Sequence, residues 1–356
     1  MENIRTMECL EHIRYRHGMY IGQIGDGYSP GDAIYTMLKE ILMNSIDEHL
    51  AGYGESIVLD IMRNGLVKVR DYGRGIPLDK VFRAATDTNT GGRYDCVDYK
   101  KTVGLNGLGL KITNALSQYF KITSYQSGEY ISLTFYKGAL MSSDKGQTSE
   151  SDGVYVEFLP DCEILGEYMF SVEILYDIVN VYCYLYKGLK ITFNGKEYRS
   201  QNGLVDMLDR FLNNAIRDSP IPICHIYDEK FEIAFAYVHS SGKYIRSFVN
   251  GHHTYGGTHY KAFYQALAFA LSKCLNKKIT TKQCRKGLVA LIKLNIQWPI
   301  FANAGKDILG SRHMWYDAEG NHGPTIYETF KKALLKAISD NGDVLTELEA
   351  IWERFE

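Results

Sequence analysis

At 356 residues the chain is long enough for two hydrophobic cores, and its 45% hydrophobic and 23% charged residues exclude a disordered protein. A formal net charge of -2 gives no overall push toward nucleic acid or membrane, so contact with either needs a local patch. The seven cysteines are scattered with no Cys-x-x-Cys pair, which speaks against a disulfide framework or zinc site and fits a reducing cytoplasm.

The opening MENIRTMECLEH lacks a signal-peptide core, and the longest apolar run, around Phe263 to Leu275, is too short and interrupted to cross a bilayer. A weak helical pattern in Met7, Leu10 and Ile13 is broken by glycines over His17 to Gly22, and Gly25 to Asp32 reads as a loop. From about Ala33 the spacing predicts an amphipathic helix that includes Leu38 to Ala51 and ends at Gly52 to Gly54. Glu40, Asn44, Asp47 and Glu48 fall on one side; Tyr35, Leu38, Leu42 and Ile46 fall on the other. By itself this is also the pattern of a plain surface helix. Two β-patterned runs follow, Ser56 to Met62 and Leu66 to Asp71, joined through Asn64-Gly65. In the second, Val67, Val69 and Asp71 share a face, and Lys68 and Arg70 share the other. A carboxylate thus stands where an apolar residue is expected, and its desolvation needs a donor in answer. Gly73 and Gly75 follow at once, letting a flat ligand approach the backbone beside Ile76 and Pro77. A strand-ending Asp in an ordinary turn would look the same.

Thr86 to Lys101 has neither period and reads as a lid or binding loop. It enters Gly104-Leu105-Asn106-Gly107-Leu108-Gly109, after which Leu108, Ile112 and Leu116 mark a helix. Glycines leading into a helix N-terminus suit an anion, although a tight turn uses them too, and the spacing is neither Walker A nor the dinucleotide pattern. Strands are predicted at Tyr119 to Tyr125, Tyr130 to Tyr136, Gly153 to Leu159 and Leu189 to Phe193, with helices at Val172 to Tyr182 and Val205 to Ala215. Two prolines in Arg217 to Pro222 mark the boundary, giving domains 1–216 and 217–356. Beyond it come strands at Phe231 to His239, Tyr244 to Asn250 and Leu288 to Gln297, a helix from His259 to Leu275, and a helical region from Pro324. The basic run from Lys273 to Lys286 is either a solvated face or a DNA contact.

The order Glu40-x-x-x-Asn44-x-x-Asp47-Glu48, Asp71-x-Gly73-x-Gly75, Gly104-x-x-Gly107-x-Gly109 resembles the signature of the GHKL ATPases. Met19-Tyr20-Ile21-Gly22, Thr90-Gly91-Gly92-Arg93-Tyr94-Asp95, Tyr99-Lys100, Gly256-Gly257-Thr258-His259 and Arg285-Lys286-Gly287-Leu288 are similar to the ATPase subunit of bacterial type IIA topoisomerases, gyrase B and topoisomerase IV B. The resemblance implies an α+β fold, a GHKL (Bergerat) α/β sandwich with a mixed sheet followed by an α/β transducer domain with a βαβ element. It implies ATP and Mg²⁺ as cofactors and an ATP-driven dimerisation clamp acting on duplex DNA with a DNA-cleaving partner subunit. Glu40 would be the general base and Asn44 the Mg²⁺ ligand. Asp71 would accept from the adenine amino group, with Gly75, Ile76 and Pro77 along the base and Arg74 paired to Glu48 at the pocket edge. Lys100 and Gly104, Leu105, Asn106, Gly107, Leu108 and Gly109 would embrace the phosphates, with Asp47 left as a structural acceptor.

Departures from the pattern are Arg16-His17-Gly18 for Arg-Pro-Gly, Asn106 for His, Val154 for Thr, and Ala304-Gly305-Lys306 for Gln-Thr-Lys. Lys306 would still reach the γ-phosphate as a point charge. Val154 and Ala304-Gly305 also leave room for a non-hydrolysing nucleotide-gated module, and a mismatch-repair-type GHKL ATPase is the second alternative. With no acidic metal motif or cleavage-tyrosine context, these residues are expected not to cut DNA and to be part of a longer subunit.

Overall fold

The computed structural model describes residues 7–87, 107–215, 223–238, 243–302, 306–317, 319–342, 345–346 and 349. They belong to two compact units, Met1–Gln201 and Asn202–Glu356. The proline-marked boundary at 217–222 lies outside the described residues. The second unit begins ahead of the helix expected at Val205 to Ala215, because that helix packs on strands of the second unit.

The first unit is built on an eight-stranded sheet. Its strands are β1 (Ser56–Ile61), β2 (Val67–Asp71), β3 (Ser117–Gln126), β4 (Glu129–Tyr136), β5 (Ala139–Gln147), β6 (Gly153–Pro160), β7 (Lys190–Phe193) and β8 (Lys196–Arg199), in the order β5-β4-β3-β6-β2-β1-β7-β8. β1 and β7 are parallel and every other pair is antiparallel, so the sheet is mixed, as expected. Helices α1 (Cys9–Tyr15), α2 (Gly18–Ile21), α3 (Ala33–Leu50), α4 (Val81–Thr86), α5 (Gly109–Ala115), α6 (Cys162–Leu165) and α7 (Val172–Leu185) complete it. Alternation along the strands sends Leu59, Val69, Phe120, Ile122, Leu133, Phe158 and Ile191 into one buried layer with Met37, Leu38, Ile41 and Leu42 of α3. The turn at His17 to Gly22, expected as a break, includes the single turn of α2. β5 has no apolar alternation to read, since every residue in it is exposed and its place comes from backbone pairing with β4.

The second unit comprises α8 (Leu204–Ala215), β9 (Cys224–Asp228), β10 (Phe231–Tyr237), β11 (Tyr244–Val249), β12 (His252–Thr254), β13 (Gly256–Gly257), α9 (Thr258–Cys274), β14 (Leu288–Leu294), β15 (Ile308–Leu309) and α10 (Ile326–Ser339). Its main sheet runs β12-β11-β14-β10-β9, and β13 pairs with β15 apart from it. β11 and β14 are parallel and joined across α9, which is the expected βαβ element. β10 and β14 are apolar along nearly their whole length because both faces are covered. Phe231, Ile233, Ala290 and Ile292 join the core with Phe263, Leu267, Phe330 and Leu334 of α9 and α10, while α8 packs against the same two strands. Thr325 and Glu328 form a capping box that starts α10 just after Pro324.

Candidate active site

Asp71 ends β2 and points into the first unit's helical layer. It is 6% exposed, and three donors answer it: the N–H groups of Gly73 (3.0 Å) and Val154 (3.1 Å) reach Oδ1, and the Ser45 hydroxyl of α3 reaches Oδ2 (3.0 Å). Burial pushes its carboxyl above the usual range, opposed by those hydrogen bonds and by Arg70. Ser45 was not anticipated. Its signal in the sequence is a lone hydroxyl on the apolar side of α3, a side that should hold only hydrocarbon. The donor at position 154 is a backbone amide, which a valine supplies as well as a threonine.

The turn after Asp71 is fixed from below. Ser124 on β3 accepts from the Ile76 N–H (2.8 Å) and donates to the Ile76 carbonyl (2.7 Å), so one buried hydroxyl closes both backbone groups. Gly75 has φ +73° and would drive a Cβ into the Tyr125 carbonyl. Ile76 is half-buried and Pro77 exposed, leaving an apolar edge beside Asp71. Arg74 grips Glu48 through Nε and Nη2, each at 3.0 Å, and lies 4.3 Å over the Tyr53 ring. The anticipated pair is therefore formed, and its exposure limits it to about 0–1 kcal/mol.

Glu40 and Asn44 sit one turn apart on α3, half-buried and exposed respectively. Gly109, the first residue of α5, lies so close to Glu40 that a Cβ there would stand 2.8 Å from the Glu40 Cβ. Of the glycine turn, Gly107 (φ +58°), Leu108 and Gly109 are described, and they place the start of α5 beside Glu40. Lys111, two residues into the helix, donates to the Gly107 carbonyl (2.6 Å); burial pushes its ammonium down to about 8. Tyr182 of α7 is fully buried, and desolvation together with the Glu40 charge holds its hydroxyl well above the usual range.

Lys100, Gly104, Leu105 and Asn106 lie outside the described residues. Asp47, on the polar side of α3 in a helical projection, is buried, close enough to Tyr186 of α7 for its charge to raise that hydroxyl, a neighbour that a single-helix wheel cannot show. Lys306 belongs to the second unit, half-buried, with Nζ 3.4 Å from Nε2 of His252. Among the described residues no three His, Cys, Asp or Glu side chains are grouped to hold a metal ion.

The first unit is a two-layer sandwich in which α3 brings a carboxylate beside a glycine turn, an exposed amide one helical turn on, and a hydroxyl bonded to a buried Asp that precedes Gly-x-Gly, the arrangement expected of the GHKL class. Residues 30–159 match the family described as histidine kinase-, DNA gyrase B-, and HSP90-like ATPase, and residues 203–346 match the family DNA gyrase B. The chain is 40% identical over 336 residues to the B subunit of DNA topoisomerase 4 from Borreliella burgdorferi, covering 94% of this chain and 55% of that protein. It is 31% identical over 340 residues to the B subunit of DNA gyrase from Helicobacter pylori, covering 87% of this chain and 43% of that protein. Among solved structures, the 43K ATPase domain of Thermus thermophilus gyrase B has a TM-score of 0.72 at 24% identity, covering 98% of this chain and 94% of that one. The ATPase region of Saccharomyces cerevisiae topoisomerase II has a TM-score of 0.74 at 21% identity, covering 98% of each. The chain belongs to the ATPase-subunit family of type IIA topoisomerases, the gyrase B and topoisomerase IV B proteins, and spans about half the length of the curated relatives it matches.

Proposed function

We propose that the chain binds and hydrolyses ATP as the dimerisation clamp of a type IIA DNA topoisomerase, in the cytoplasm, working on duplex DNA with a DNA-cleaving partner subunit. The observation that carries this reading is the placing of Glu40 against Gly109, because hydrolysis needs a base at the end of the nucleotide opposite Asp71. Asp71 accepts from the exocyclic amine of adenine and is pre-set by Ser45, Gly73 and Val154. Ile76 and Pro77 cover the base, while Arg74, locked to Glu48, stiffens the rim.

At the other end, Lys100, Gly104, Leu105, Asn106, Gly107, Leu108 and Gly109 surround the phosphates. Asn44 holds Mg²⁺, which when bound neutralises phosphate charge. Glu40 takes the proton of the attacking water, and Lys306 presents its ammonium to the γ-phosphate. Positioning and charge neutralisation are what phosphoryl transfer requires. Nucleotide binding draws two copies together to the extent that ATP prefers the closed state. The topoisomerase IV type is favoured over gyrase by the 40% identity to the former against 31% to the latter. Among the described residues no helix is long and apolar enough to cross a membrane.

Steady-state hydrolysis and equilibrium binding of ATP, compared for the native chain and Glu40→Ala, test the proposal. The variant is expected to bind ATP within about threefold of the native chain and to lose hydrolysis by about 10²-fold or more, the scale for a general base. A native chain without ATPase activity, or a variant as fast as the native chain, sinks it.

A further inference from the structure

The lysine at the centre of the proposed phosphate contact sits in an unusual local setting. Lys306 has φ +57°, a left-handed conformation that a non-glycine residue holds only when its surroundings impose it. The imposition is visible on both sides. The Ala302 N–H donates to the Ile308 carbonyl (2.9 Å), closing the base of the loop; the Tyr255 N–H donates to the Asp307 carbonyl (2.8 Å); and β15 pairs in parallel with β13 directly after. Against this fixed backbone the Lys306 ammonium approaches Nε2 of His252 at 3.4 Å.

His252 is itself built into a rigid corner. It opens β12 and pairs with Val249 of β11 across the two-residue turn Asn250-Gly251, both with positive φ, the favoured geometry of a tight hairpin. The Asn250 side chain ties that turn to Ile296 by two hydrogen bonds, of 2.9 and 2.8 Å. Phe301, at the start of the Lys306 loop, meets the His252 ring edge-on at 6.2 Å between centroids. The hairpin thus fixes the His252 backbone, and the Phe301 ring packs against one side of its imidazole.

We infer that His252 is a positioning residue for Lys306, accepting a hydrogen bond from its ammonium through Nε2 and aiming it for the nucleotide. An ammonium has no acceptor capacity, so Nε2 must be the unprotonated nitrogen, with the ring proton on Nδ1. A neutral acceptor orients the lysine while leaving its positive charge intact for a phosphate oxygen. A carboxylate in the same place would compete with the phosphate for that charge.

The inference rests on the reading that Lys306 serves the phosphate, and the experiment separates the two. ATP hydrolysis is measured for the native chain, Lys306→Ala, His252→Leu, His252→Gln and the double variant Lys306→Ala with His252→Leu, alongside thermal unfolding of each. His252→Leu is expected to lower kcat about tenfold with KM within about twofold, less than the ~10²-fold that a 1 Å misplacement of a reacting group can cost. His252→Gln, whose amide oxygen can accept from the ammonium, restores kcat to within about twofold, and the double variant is no slower than Lys306→Ala alone, as for residues acting as a unit. A native kcat in Lys306→Ala overturns the underlying reading of the lysine. A slow Lys306→Ala with a native kcat in His252→Leu overturns the positioning role alone, as does an equal loss in the Leu and Gln variants. If His252→Leu does not fold, His252→Val serves as the acceptor-less variant under the same criteria.

Discussion

Asp71 carries three hydrogen bonds and is nonetheless held above its normal carboxyl range, because burial outweighs the donors. A folded pKa raised above the unfolded value means that the folded state binds more protons across the interval between them. The contribution of Asp71 to stability is therefore fully present below the unfolded value of 3.8 and is lost as pH rises through the folded pKa. At neutral pH the folded chain carries that cost, and the adenine donor proposed above would relieve it. Asp71→Asn removes the charge but keeps an oxygen for the Gly73 and Val154 amides. Its melting temperature without nucleotide is expected to exceed that of the native chain at pH 7.5 by about 2–4 °C, the shift for about 1 kcal/mol in a unit of this size. The gap should close as pH approaches 4. ATP affinity should fall by one to two orders of magnitude, since a hydrogen bond to a charged acceptor contributes about 1.5–3 kcal/mol. Calorimetry at the two pH values and titration with ATP check both halves. Arg70 teaches the complementary lesson. The strand pattern puts it with Lys68 on the face opposite Val69 and Asp71, yet it is 8% exposed, between Tyr72 and Tyr125 at 4.7 and 4.6 Å, donating to the carbonyls of Asp71 and Ser151. Period-two alternation shows which face a residue takes but not what covers it.

Elements are legible in the sequence where they are buried, on one face as in α3 or on both as in β10 and β14, and leave no pattern where they are exposed or very short. α3, β1 to β4 and β6 show clear periodicity because one face of each meets the core. β5 is exposed throughout and β12 is three residues long, so neither leaves a pattern. Close approach is equally invisible until partners are placed. Gly73 would set a Cβ 2.7 Å from the Cβ and Cγ of Glu48, and Gly153, at φ +136°, would drive one into the Asp71 carbonyl. These glycines let α3, the turn after β2 and the start of β6 crowd round one site, whereas the sequence showed only that they lay near one another in motifs. Gly109 offers a test of the α3 and α5 contact. In Gly109→Ala the added methyl meets the Glu40 side chain, so Glu40 must turn aside. The fold should survive, alanine being a better helix former than glycine by about 0.5–1 kcal/mol. Hydrolysis should fall about tenfold or more while ATP binding through Asp71 persists, a split between kcat and Kd that simple destabilisation does not produce.

At the scale of the whole molecule, adenine recognition and the candidate base lie in Met1–Gln201, and the candidate phosphate lysine lies in Asn202–Glu356. The first unit has its own sheet, its own buried layer and, among the described residues, all three donors to Asp71, so the proposed base contact belongs to that unit. A chain cut after Gln201 is expected to unfold cooperatively and to bind ATP within about threefold of the uncut chain, since a domain with its own core can fold alone. Its hydrolysis should be no faster than that of Lys306→Ala. Adding the second unit as a separate chain should restore little, because joining the two in one chain supplies an effective concentration that free mixing does not reach. Binding assays and steady-state rates on the cut and uncut chains decide the matter. A cut chain that hydrolyses ATP at the uncut rate would show that Glu40 and the glycine turn suffice, and that Lys306 and His252 serve the second unit rather than the phosphate.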